Sequence, residues 1–189
     1  PSGNEAGSYR TTETGTGIQV AGTDTVTFTA PGNHYDGSWI AVVTPQWKST
    51  AQTSDIVVLE HTSDADNYIR LYWDTSESSW VFRKRAGGVN CEVTSAAHAF
   101  TSGTRIILGI AYDSTNAGGM KIFIDGIRSG MDGDTTVLSS APSTFTLHDG
   151  SGSAQPNAVF DMVAGWSRML SADEMLKIAG LEKDLLPTP

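Results

Sequence analysis

The stretch Arg105 to Ile127 constrains the fold of this chain more than any other. It reads R-I-I-L-G-I-A-Y-D-S-T-N-A-G-G-M-K-I-F-I-D-G-I. Two apolar, β-branched runs flank a polar loop, and the second run ends in Asp125-Gly126. β-Branched side chains fit an extended backbone, and glycine reaches positive φ without steric cost. The segment therefore predicts a strand, a loop and a strand, closed by a tight turn.

Similar short runs recur along the chain, from about Ile18 to Trp166, separated by punctuation such as Ala30-Pro31-Gly32-Asn33 and Asp149-Gly150-Ser151-Gly152. Glycine, serine and threonine are abundant and no internal repeat stands out. Short apolar runs at regular spacing predict an all-β domain. The 189 residues suffice for one core without covalent staples. Residues 1–16 are polar and lack apolar periodicity. They read as an arm, either disordered or ordering on a neighbouring subunit. Residues 17–180 form the predicted sandwich. Residues 181–189 form a tail whose Leu185-Leu186 pair packs on its own domain or docks on a partner.

One helix is marked near the end. Ser171 with Glu174 three residues on is a capping box. Met175, Ile178 and Ala179 follow at helical spacing, and Gly180 is the expected stop.

Strand alternation assigns faces to the hairpin of residues 67–85. Ile69, Leu71 and Trp73 share one side; Tyr68, Arg70 and Tyr72 share the other. A four-residue loop, Thr75 to Ser78, sets Trp73 against Trp80 and Leu71 against Phe82. The same register sets Arg70 against Arg83 and Tyr72 against Val81. Two cations directly opposite repel. An acidic partner is required: Glu60, Glu92, a neighbouring subunit or an anionic ligand.

Two motifs carry a resemblance. Phe123-Ile124-Asp125-Gly126 resembles the hairpin ending of laminin-G-like and concanavalin A-like domains. Val159 to Met175, with Asp161, Trp166, Arg168, Leu170, Ser171 and Glu174, resembles their closing element. The resemblance spans roughly residues 17–180. It implies an all-β, concanavalin A-like jelly-roll β-sandwich with one short C-terminal helix. The fold hosts lectins, hydrolases and inert spacers alike, so function must be argued from the site. The resemblance further implies a structural calcium ion at Asp161, although the family's second acidic residue is replaced here by Met162.

The chemistry of the chain excludes several classes. A net charge of −9 disfavours nucleic-acid binding, which needs clustered cations. No segment is long and apolar enough to insert in a membrane. Cys91 is the single cysteine, so no intrachain disulfide forms, and no base partner is evident for a nucleophile. The paired carboxylates of a sugar hydrolase, a nucleophile elbow and a phosphate loop are all absent from the sequence pattern. Carbohydrate binding is the activity that the resemblance implies. Tyr68, Arg70, Tyr72 and Arg83 could together stack on and bracket a sugar ring, with Tyr35 and Trp47 as further candidates near loops; Trp39, Trp73, Trp80 and Trp166 read as core.

Two settings follow. The first is a non-enzymatic virion surface protein (head decoration, fibre or tail adhesin), acting with self or other virion subunits in assembly, capsid stabilisation or attachment to surface polysaccharide. The start Pro1-Ser2-Gly3-Asn4-Glu5, unlike a secretory signal, suits that setting. The second is the carbohydrate-binding module of a secreted glycan-active enzyme. Either places the chain on a virion surface or outside the cell.

Overall fold

A computed structural model describes residues 7–9, 18–20, 26–29, 33–115, 119–147 and 157–185. In chain order the strands are β1 (Gly7–Tyr9), β2 (Ile18–Val20), β3 (Val26–Thr29), β4 (Asp36–Pro45), β5 (Ile56–Asp64), β6 (Asn67–Asp74), β7 (Ser79–Ala86) and β8 (Val89–Thr94). Then come β9 (Ile106–Asp113), β10 (Met120–Ile124), β11 (Ile127–Asp132), β12 (Thr144–Leu147), β13 (Ala158–Trp166) and the helix α1 (Ala172–Leu185). They form an antiparallel β-sandwich with one short C-terminal helix. One sheet runs β1-β13-β4-β9-β10-β11, with β2 also on β13. The other runs β3-β12-β5-β6-β7-β8.

Strand alternation builds the core. Trp39 and Val43 face inward from β4, and Leu71, Trp73, Trp80 and Phe82 face them from β6 and β7. Trp73 and Trp80 are directly opposite and meet edge to face, ring centres 5.2 Å apart. Phe100, on the segment after β8, stacks on Trp80 at 5.7 Å. Aromatic pairs in these geometries add to area burial.

A second apolar layer lies on the far side of the first sheet. Ile40, Val42, Ile107, Phe123 and Met162 meet Leu170, Met175 and Ala179 there. Trp166, expected in the core, is half-buried and packs against this layer. The capping box forms as predicted: Ser171 N–H donates to Glu174 Oε2 at 2.8 Å, and Glu174 N–H donates to Ser171 Oγ at 3.2 Å.

The turn Asp125-Gly126 closes a β10–β11 hairpin, with φ of 52° and 81° at its two residues. Both being positive, the turn has the mirror-image form that matches strand twist. Its glycine is required twice, since an added Cβ would lie 2.9 Å from the Leu176 backbone. The turn is thus pressed on α1, and the two motifs that carry the family resemblance are spatial neighbours.

Three expectations need correction. The helix does not stop at Gly180 but runs to Leu185, taking in five residues of the expected tail. Gly180 does not have positive φ and faces open space, so it weakens the helix without ending it. Residues 7–9 of the expected arm form β1 on the domain's own β13, Gly7 opposite Gly165. Strand β11 was unmarked because Arg128-Ser129-Gly130 has no apolar alternation, and the strand is irregular beside Phe123. The other arm residues and residues 186–189, Leu186 included, lie outside the described segments.

Candidate functional site

The outward face of β5–β8 is the other half of the alternation that builds the core. Glu60, Arg70, Arg83 and Glu92 stand in register on four consecutive strands. Arg70 Nε donates to Glu60 Oε2 at 2.6 Å. Arg83 pairs with Glu92. The repulsion implied by Arg70 opposite Arg83 is thus relieved inside the chain, by both glutamates named from sequence. Acid, base, base, acid gives the row no net charge, and its side chains keep partial solvent contact: 18%, 19%, 24% and 39% from Glu60 to Glu92.

The structure brings all four predicted residues together but gives the tyrosines another role. Tyr68 and Tyr72 are buried. The Arg70 guanidinium lies 4.6 Å from the Tyr68 ring centre, and that of Arg83 lies 4.9 Å from the Tyr72 centre. These are cation–π distances. A ring face already covered by a guanidinium is not free to stack on a sugar. Tyr72 instead packs with Val57 and Val81 and accepts a hydrogen bond from Arg83 Nη2 at 3.0 Å. Burial pushes its phenol up to about 12, against the lowering effect of Arg83. For Arg83, burial is outweighed by Glu92 and Tyr72, and its pKa rises. What the face presents to solvent is therefore polar: guanidinium edges and carboxylate oxygens over an aromatic floor.

The remaining aromatic candidates separate. Trp47 is a core residue, its ring 4.8 Å from Phe100. Tyr35 is 53% exposed, on the loop before β4 and away from the row.

At Asp161, where the resemblance implies a calcium ion, the carboxylate is paired with an arginine. Asp161 sits at an irregularity in the β13–β4 register, and its Oδ2 accepts from Arg105 Nε at 3.3 Å. A cation is already present in the form of an arginine. Calcium wants six or more oxygens, and among the described residues no group of three His, Cys, Asp or Glu side chains converges.

One buried group escaped sequence reading. Lys84 lies on the inward face of β7 and is fully buried. Its Nζ contacts Asp134 Oδ2 at 2.7 Å and the Thr136 carbonyl at 2.7 Å. Burial raises the Asp134 carboxyl, but hydrogen bonds from Lys84 and Thr136 outweigh it and hold the group at about 2. Parity with Trp80 and Phe82 was the available signal. Cys91 is opposite Lys84, and burial pushes its thiol up, away from the thiolate a nucleophile needs.

Comparison with known proteins adds fold and little else. No family model matches the chain, and no curated protein matches it. Solved structures do match. The receptor-binding domain of botulinum neurotoxin D aligns with TM-score 0.69 at 9% identity, covering 95% of this chain and 48% of that one. The binding domain of botulinum neurotoxin DC, solved in complex with SialylT, aligns with TM-score 0.64 at 9% identity, covering 83% and 39%. A botulinum neurotoxin type C structure, described with two ganglioside molecules in cell entry, aligns with TM-score 0.64 at 10% identity, covering the same shares. The chain thus spans less than half the length of these neighbours.

Proposed function

We propose that this chain is a non-enzymatic attachment domain that holds glycans on the outward face of β5–β8. The observation that carries the reading is the row Glu60–Arg70–Arg83–Glu92, a fixed line of hydrogen-bonding groups on a rigid sheet. Sugar hydroxyls both donate and accept. Alternating guanidinium and carboxylate groups match that chemistry. The two glutamates flank three inter-strand gaps, so they stand about 14 Å apart. Sugar hydrolysis needs carboxyl groups about 5 to 9.5 Å apart, one of them protonated. Each glutamate is instead occupied by an ion pair with an arginine. The face is suited to binding and not to bond cleavage.

The setting we propose is a virion surface, as fibre, tail adhesin or head decoration, in a sandwich of the laminin-G-like kind. The family reading is supported by the two motifs meeting at Gly126 and α1. The alternative, a carbohydrate-binding module of a larger secreted protein, is favoured by the neighbours. In them a similar sandwich makes up less than half of a binding domain, and two are described with SialylT or gangliosides.

Affinity electrophoresis in polysaccharide gels tests the binding. Retardation lost on Arg70→Ala, with the melting temperature within a few degrees of the parent, is the expected result. Retardation unchanged by Arg70→Ala would remove the face from the site. Size-exclusion chromatography separates the settings: a stable symmetric oligomer supports the virion, and a monomer supports the module.

A further inference from the structure

Resting on the glycan reading above, the geometry points to a specific class of ligand: neutral, extended polysaccharide chains, with Glu60 and Glu92 as the residues that exclude acidic ones. Unpaired arginines on a sheet would recruit carboxylates or sulfates, because the guanidinium fork matches a planar anion bidentately. Here neither fork is unpaired. Arg70 directs both Nε and Nη2 to Glu60 Oε2, at 2.6 and 2.5 Å. Arg83 directs Nε to Glu92 and Nη2 to the Tyr72 hydroxyl. An acidic sugar would have to displace a carboxylate already in place, and would meet two like charges on arrival. A neutral hydroxyl suffers neither penalty. It can take a free guanidinium N–H or donate to a carboxylate lone pair without breaking the pair.

Shape supports the same class. The row crosses four strands in register and spans about 14 Å, close to three sugar units of an extended chain. Tyr68 and Tyr72 hold the guanidiniums from beneath and fix their height. The outer flank repeats the device, with Arg85 Nη2 on Asp66 at 3.3 Å. Each described arginine of this face therefore carries its own acid. Discrimination arises by making the wrong ligand break an existing bond.

The test compares gels containing neutral glucan, mannan or xylan with gels containing polygalacturonate or alginate, all uncharged or anionic by composition. The parent is expected to be retarded by at least one neutral polymer and by neither acidic one. Glu60→Gln/Glu92→Gln is expected to gain polygalacturonate or alginate retardation by about tenfold in apparent affinity. Arg70→Gln/Arg83→Gln is expected to lose retardation in every gel while far-ultraviolet circular dichroism stays unchanged. A parent that binds acidic polymer as well as neutral, or a glutamine double variant that gains no acidic binding, overturns the ligand class but leaves glycan binding standing. A parent that binds no polymer removes both.

Discussion

The two faces of β6 and β7 share one backbone and one set of ladder hydrogen bonds, and differ in parity. Inward, Leu71, Trp73, Trp80 and Phe82 are fully buried and meet the opposite sheet. Outward, Arg70 and Arg83 keep partial solvent contact, and Tyr72 and Val81 are buried beside Val57 of the same sheet. The inner face is held by shape, where every missing atom leaves a void. The outer face is held by pairing of charge and hydrogen bonds, where exchange of a partner is tolerated. That contrast explains why the inner face specifies the fold and the outer face is available for recognition.

Lys84 breaks the contrast, being a charge on the inner face, and removing its partner gives the largest expected effect. Asp134→Asn leaves a buried ammonium without its counter-charge and should cost about 3–5 kcal/mol in urea unfolding. Lys84 Nζ also donates to Ser114 Oγ at 3.4 Å, and a loss under about 1 kcal/mol would mean that this hydroxyl and the Thr136 carbonyl suffice for it. The same pair sets an acid limit. The Asp134 carboxyl is held at about 2, below its ordinary 3.8, so its stabilisation is full above about pH 4 and fades between pH 4 and 2. Asp134→Asn should flatten the stability profile in that window.

Phe82→Ala, on the inner face proper, should cost about 3–5 kcal/mol through a cavity. Its outward counterpart sharpens the comparison: Tyr72→Phe removes one hydrogen bond and keeps the ring, so about 1 kcal/mol is expected. Equal losses for the two would sink the distinction between faces.

A smaller effect should appear near neutral pH. Trp80 Nε1 donates to His98 Nδ1 at 3.2 Å, which requires that nitrogen to be unprotonated. Burial lowers the His98 pKa below its ordinary value near 6.5. The unfolded chain then binds the proton more readily, so stability falls as pH drops below about 6.5. Thermal melts of His98→Gln, whose amide oxygen can still accept, should lose that slope. A slope that persists in the variant assigns it elsewhere. The smallest effect expected is that of chelation. With Arg105 paired to Asp161, a calcium chelator should leave the melting temperature unchanged. A drop of several degrees would reveal an ion.

Much of this was legible because sheet periodicity is strict. The β6–β7 register, with Trp73 on Trp80 and Arg70 on Arg83, follows from loop length and alternation alone. So did the need for acid near the arginines, since like charges in register are unfavourable whatever the fold. The helix start was legible in Ser171 and Glu174, whose chemistry is local. Its end was not, because Gly180 only lowers propensity and the buried Met175–Ala179 face carries the helix onward. Strand β11 was hidden because it is an edge strand with four exposed residues, lacking the apolar alternation that sequence reading relies on.

The sequence by itself determined the all-β class, the helix start and the faces of β6 and β7, because these depend on near neighbours and on a period of two, while the sandwich was what the resemblance of two motifs implied. The tertiary structure decided which glutamate answers which arginine, that Tyr68 and Tyr72 lie beneath guanidiniums, and that Asp161 meets Arg105. The charge pairs among those contacts join residues 9, 10 and 56 positions apart, and no local pattern records which of several possible partners arrives.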